Sequence, residues 1–360
     1  MPASPLLTAI RSRDLSALKS ALARHRGPVP ARVMVGAGGL AWRPGLAALV
    51  KAGGDLNGTH RNYRPIHALI QEDPHKTGVS TPERVKCLAW MLAHGADPEL
   101  AGAWPAARAL VIAAFQGEWV YVDALRDAGA AINIFTAAAL GDERRVATLV
   151  ARDRALATAH DAGGGLTALH CCAGSRLGRT KPRVHKALLA CAHRLIDAGA
   201  DVNAKARSWG HDVSVAYFAI RAGRADILTL LLDRGADAVE ALPTAAWDAQ
   251  WAIVDLLRVR GAGLDAARDG DRPLLNNLVR WGQFRQARQL LERGASPNVT
   301  DAEGWTALHQ AVSRGNVNML RALVAAGADV GRPDRHGRTP LDLARGRRDL
   351  VEALSAAKAG

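Results

Sequence analysis

The sequence predicts an all-α solenoid: helix pairs stacked side by side and joined by short β-hairpin fingers. Three observations carry that prediction. A glycine that ends a helix returns along most of the chain, in GGDLN (Gly53), GADPE (Gly95), GAAIN (Gly129), GADVN (Gly199), GADAV (Gly235), GAGLD (Gly261), GASPN (Gly294) and GADVG (Gly327). Successive gaps are 42, 34, 70, 36, 26, 33 and 33 residues, a repeat in which each unit contacts only its neighbours. Between these glycines the apolar residues fall at helical spacing, and a chain of 360 residues that is 49% hydrophobic and 22% charged can bury a long core.

The clearest unit runs from Asp301 to Pro333, DAEGWTALHQAVSRGNVNMLRALVAAGADVGRP. Thr306 is placed to cap its first helix by accepting a backbone N–H. Ala307, Leu308, Ala311 and Val312 form the apolar face, and Gly315 ends the helix, since glycine readily takes the left-handed conformation of such a stop. Asn316 to Ala325 predicts a second helix with Val317, Leu320, Leu323 and Val324 facing inward. Gly327 breaks it, and Ala328-Asp329 leads into the finger. The next unit repeats Asp334, Gly337, Thr339, Pro340 and Leu341, with Thr306 and Thr339 33 residues apart. Pro340 sits in the first helical turn, where its missing N–H costs nothing.

This series resembles the ankyrin-repeat family, whose units start with Thr-Pro-Leu-His and end with Gly-Ala-Asp. The resemblance weakens in partial helix starts at Tyr63-Arg64-Pro65-Ile66-His67, Thr167-Ala168-Leu169-His170, Ser214-Val215-Ala216-Tyr217 and Arg272-Pro273-Leu274-Leu275. The gap of 70 holds two units, because 135–153 reads as another helix pair. With a pair at 6–25 and a C-terminal cap at 339–357 there are about eleven pairs. Residues 1–133 read as degenerate repeats and 134–360 as clearer ones with a cap, continuous as one solenoid. The 26-residue gap after Gly235 predicts a blunt or missing finger. The resemblance implies a binding protein that uses its concave face, and it makes His67, His170 and His309 scaffold histidines.

The formal net charge is +13, and Arg supplies 39 of the 47 basic residues against 8 Lys. Guanidinium groups bind phosphates and carboxylates in bidentate fashion. An anionic partner and a compositional bias shared with the many Ala and Gly residues both account for this charge. Cys87, Cys171, Cys172 and Cys191 form no CxxC pair, which argues against a disulfide framework and for a reducing cytoplasm. The first residues lack a signal-peptide core, and no apolar run approaches the ~20 residues of a membrane helix. A cytoplasmic monomer without a membrane anchor is expected.

Candidate sites are surface choices the scaffold does not need. The finger after Gly199 brings Arg207, Trp209 and His211 before Tyr217. Asn276 and Asn277 occupy a first helix, where asparagine competes for backbone hydrogen bonds, followed by Arg280 and Trp281. Trp305 precedes the capping Thr306. An aromatic and basic groove from Trp209, Trp281 and Trp305 would serve a protein partner, or a nucleic acid through stacking. For each residue the alternative is packing or a finger hydrogen bond within the scaffold. An insertion after Cys172 supplies Arg176, Arg179, Lys181, Arg183 and Lys186, a candidate anion-binding loop. Its alternative is a solvated loop followed by a long helix from Pro182. A small-molecule or enzymatic site near His170, Arg176, His211 and Tyr217 is the least supported reading. No G-x-S-x-G, Walker loop or HExxH occurs, so no catalytic residues are assigned. No cofactor or metal is expected, since His170, Cys171, Cys172, Cys191 and His193 lack zinc spacing. The GAGG run at 36–39 is expected to separate helices, and the glycines at 163–165 to form a finger tip.

Overall fold

The computed structural model describes residues 4–208, 211–266 and 272–358. The chain forms two compact units, Met1–Ala236 and Asp237–Gly360. In the first, helix pairs follow one another as Pro5–Ser12 with Leu15–Arg24, Ala31–Gly39 with Arg43–Lys51, and Pro65–Gln71 with Thr81–Ala93. They continue as Ala109–Gln116 with Trp119–Asp127, Ile134–Leu140 with Glu143–Arg152, Ala168–Gly174 with Pro182–Asp197, and Val215–Ala222 with Ala225–Asp233. The second unit holds Ala238–Trp247 with Trp251–Val259, Leu274–Arg280 with Phe284–Glu292, Ala307–Arg314 with Val317–Ala325, and Pro340–Leu343 with Arg348–Lys358. Through most of each unit, first helices pack on first helices and second helices on second helices. The class is all-α, an ankyrin-type row of helix pairs, as the repeat predicts.

Local chemistry fixes the helix ends. Thr167, Thr306 and Thr339 each cap a first helix by accepting a backbone N–H three residues on. Asp14, Asp142 and Asn316 do the same for second helices. Gly315 takes φ 70°, and its N–H donates to the Ala311 and Val312 carbonyls as expected of a left-handed stop. Asp237 accepts the N–H groups of Val239 and Glu240 only two residues after Gly235, so no finger intervenes there, as the short gap predicts. One finger is a hairpin, Lys205–Ser208 against His211–Ser214, with Arg207 opposite Asp212. Other fingers of the first unit carry isolated bridges, His60 with Tyr63, Gly102 with Ala107 and His160 with Thr167.

Three expectations change. In the Val317–Ala325 helix the buried residues are Met319, Leu320 and Leu323. Val317 and Val324 are half-buried and border a groove with Asp349 and Ala353 of the last helix. The glycines at 36–39 lie inside the Ala31–Gly39 helix. There Gly38 lets the next first helix approach so closely that a Cβ would stand 2.5 Å from the Pro65 carbonyl oxygen. The insertion is followed by the long Pro182–Asp197 helix as expected, but it is packed: Ser175, Leu177 and Gly178 are buried. It reaches back to the Ala109–Asp127 pair, where the Arg176 N–H donates to the Ala114 carbonyl (2.9 Å) and Trp119 Nε1 donates to that of Leu177 (3.3 Å).

Arginine has a recurring structural task in this row of short helices. Each helix leaves C-terminal carbonyls without partners and a partial negative charge at that end. Arg84 is fully buried and lies between two such ends. It donates to the carbonyls of Gly39 (3.3 Å), Leu69 and Glu72 (3.0 Å), to Thr77 Oγ1 (3.1 Å) and to Tyr121 Oη (3.0 Å). Arg13 donates to the carbonyls of Leu40 and Thr77. Arg347 donates to the Val312 carbonyl at the end of the Ala307–Arg314 helix.

Candidate functional site

The second unit presents a cleft of about 610 Å3 between its first helices and its finger turns. Its floor begins with the histidine of the repeat. His309 Nδ1 accepts the Thr306 N–H (3.2 Å), so Nε2 carries the proton and donates to the Arg338 carbonyl (3.3 Å) of the next turn. Burial pushes the His309 imidazole below its ordinary pKa, which keeps this neutral tautomer. Asn276 stands 33 residues before His309 and makes the equivalent bond. It is buried, and its Nδ2 donates to the carbonyls of Trp305 (2.7 Å) and Val299 (3.2 Å). The asparagine therefore ties one helix to the next finger. Asn277, half-buried, shares its register with Gln310, which lines the cleft.

The cleft's cations divide into two kinds. Arg272 and Arg338 rest on buried carboxylates: Arg272 Nε is 2.7 Å from Asp301 Oδ2, and Arg338 Nη2 is 2.8 Å from Asp334 Oδ2. Trp305 Nε1 also donates to Asp334 Oδ2 (3.2 Å), and its ring stacks with His309 at 5.9 Å. Burial alone would push the Asp334 carboxyl up, but Arg338 and the N–H groups of Arg338 and His336 hold it well below the usual carboxylate range. Arg280 and Arg314 differ: both are exposed at helix ends and neither makes an ion pair among the described residues. The Arg280 guanidinium lies 5.9 Å from the Trp281 ring, which is 62% exposed. Glu303 and His336 border the finger side.

Of the residues the sequence singles out, Arg280, Trp281 and Trp305 come together here. Arg314, Gln310 and His336 join them without having been singled out. The 33-residue register signals them, since Arg314 repeats Trp281, Gln310 repeats Asn277 and His336 repeats Glu303. Arg207 and Tyr217 belong to the first unit; Trp209 and the side chain of His211 lie outside the described residues. Tyr217 meets Trp104 edge-on (5.9 Å), and Trp104 stacks on Phe218 (5.7 Å), beside a small cavity of about 160 Å3. In the insertion, Arg176 Nη2 donates to the Arg221 carbonyl (3.0 Å) and Arg179 Nη2 to that of Ala222 (3.2 Å), at the end of the Val215–Ala222 helix. Lys181 Nζ stands 3.7 Å above the Trp119 ring, while Arg183 and Lys186 are exposed.

The buried histidines are ill-suited to acid–base work. His67 donates from Nε2 to the Ala107 carbonyl (3.0 Å), and burial lowers its pKa to about 4, as it does for His170. All four cysteines are unpaired and buried, and burial pushes the Cys191 thiol up to about 12. Among the described residues no group of three His, Cys, Asp or Glu is arranged to hold a metal, and no helix is long and apolar enough to cross a membrane.

Family models match in two places: ankyrin repeats in three copies over residues 265–359, and a single ankyrin repeat over 164–207. The chain is 40% identical over 95 residues to the mouse B-cell lymphoma 3 protein homolog, a match covering 26% of this chain and 21% of that protein. It is 38% identical over 127 residues to an ankyrin repeat-containing protein of Treponema pallidum, covering 34% and 42% respectively. With the human ARF GTPase-activating protein GIT1 it shares 42% identity over 83 residues, covering 22% of this chain and 11% of that one. The chain thus spans between 11% and 42% of these relatives' lengths. The solved human ASB11 ankyrin repeat domain aligns with a TM-score of 0.46 and 24% identity, over 63% of this chain and 98% of that one.

Proposed function

This chain is an ankyrin-repeat protein, and from that premise we propose that it acts by binding a protein partner in the cleft of its second unit. Ankyrin repeats mediate protein–protein contacts. The observation that carries the reading is Trp281, a large indole 62% exposed in a cleft beside Arg280 and Arg314, neither of which forms an ion pair among the described residues. Trp and Arg dominate the energetics of protein interfaces because they bring large area and several donors at low conformational cost. Trp305 and Asn276 serve this surface by fixing the fingers.

The +13 charge is the observation behind a nucleic-acid reading. Arg13, Arg84 and Arg224 face backbone carbonyls within the fold, so the formal charge overstates what a polyanion would meet. The test is capture of partners from the source cells by the wild-type chain, Trp281→Ala and Arg314→Ala, with helix content checked by circular dichroism. Loss of a hot-spot residue costs about 2 kcal/mol or more, so recovery of a true partner falls roughly thirtyfold. Undiminished recovery with both variants removes the cleft assignment.

A further inference from the structure

The cleft also carries information about what its partner looks like. We infer that it takes an acidic segment of a protein, with two carboxylates held by Arg280 and Arg314 and an apolar side chain between them covering Trp281. This rests on the binding reading above and specifies the partner's chemistry.

Charge complementarity comes first. Arg272 and Arg338 are neutralised by Asp301 and Asp334 from within the fold. Arg280 and Arg314 meet no carboxylate among the described residues, and a guanidinium suits carboxylates in bidentate fashion. The repeat register places the groups. Trp281 and Arg314 occupy the same place one repeat apart, at the ends of neighbouring first helices, and Arg280 directly precedes Trp281. Neighbouring helices pack about 8–10 Å apart, and an extended chain advances about 3.3 Å per residue. Side chains two apart share one face of such a chain, so carboxylates four residues apart, about 13 Å, fall within reach of the two long arginine side chains with the apolar residue midway between them over the exposed indole. Glu303 separates this occupant from a nucleic acid. A phosphate backbone needs an unbroken positive track, whereas Glu303 stands on the finger side of the same cleft. A single acidic stretch laid along the helix ends needs only the two cations there.

The test uses a fluorescein-labelled peptide, Gly-Ser-Glu-Ser-Phe-Ser-Glu-Ser-Gly, with the whole chain at low salt. Fluorescence anisotropy compares it with a Glu→Gln version, a Phe→Ser version and a twelve-residue oligothymidylate. The acidic apolar peptide is expected to bind about tenfold or more tightly than either altered peptide, and to perturb tryptophan emission. Arg280→Glu with Arg314→Glu is expected to lose that binding and to gain a Glu→Lys peptide, an exchange that a misfolded variant cannot produce. Equal binding of the neutral peptide, preference for the oligothymidylate, or no effect of the charge reversal overturns the inference. If cleft variants lose the captured partner while that partner's bound segment is not acidic, the binding reading stands and this inference alone falls.

Discussion

Replacing Arg84 with Met is the most severe single change the structure predicts away from the cleft. The side chain is fully buried, with five hydrogen bonds and no carboxylate among its partners. Its charge is offset by the carbonyl ends of the Ala31–Gly39 and Pro65–Gln71 helices, each carrying about half a negative charge. Methionine fills much of the volume but leaves the carbonyls of Gly39, Leu69 and Glu72 without a donor. A buried unsatisfied acceptor costs about 1–3 kcal/mol. Relief from desolvating the guanidinium returns part of that, so a net loss of about 4 kcal/mol is expected. Arg84→Lys keeps the charge but not the planar fork and is expected to lose at least about 2 kcal/mol, while Tyr121→Phe removes one acceptor and costs about 1 kcal/mol. Urea unfolding followed by far-ultraviolet circular dichroism gives the differences by linear extrapolation. An Arg84→Met chain within about 1 kcal/mol of wild type refutes the reasoning, because the orphaned carbonyls alone exceed that.

Three further outcomes follow from the repeat register and its buried groups. Asn276→Leu takes the side-chain donor from the Val299 carbonyl and leaves that of Trp305 with only the Asp301 N–H, and is expected to cost about 1 kcal/mol; Asn276→His, the residue of the same register at 309, is expected to cost less than half as much by the same urea titration. Thr306→Ala removes a helix cap and is expected to cost about 1 kcal/mol, read as a lower thermal midpoint. His67 and His170 are held neutral by burial, with pKa values lowered from 6.5 to about 4. Their stabilisation is complete above pH 6.5 and is lost as pH falls toward 4, because the unfolded chain binds protons first. Urea midpoints measured between pH 7.5 and 4.5 should therefore decline, and less steeply in His67→Gln; identical slopes would contradict the burial argument.

The helix pairs are legible in the sequence because their signals are backbone chemistry at a fixed spacing: a capping Thr, a helix-ending Gly and apolar residues between. The cleft is legible only in part. Trp281 and Arg280 stand out as expensive residues on a surface, whereas Arg314 looks like an ordinary solvated helix end until it is seen beside the indole. Asn276 could equally have faced a ligand; the position of the Trp305 carbonyl decides that it faces the next finger. Arg84 and the insertion are illegible for a shared reason. Their partners lie on other helix pairs, Gly39 for Arg84 and Ala114 and Arg221 for Arg176, and no local pattern announces a carbonyl end in need of a donor. Several of the arginines therefore have a third explanation, besides composition and an anionic partner.

The central claim, that the cleft is where this chain grips another protein, is tested most directly by photocrosslinking. Trp281 is replaced with p-benzoylphenylalanine, and Val120, an exposed residue of the first unit at 42%, carries the same probe as a control. Irradiation in extracts of the source cells should give a protein adduct from position 281 that Arg280→Glu with Arg314→Glu abolishes, and none of that adduct from position 120. The same adduct from both positions, or from position 120 alone, contradicts the assignment.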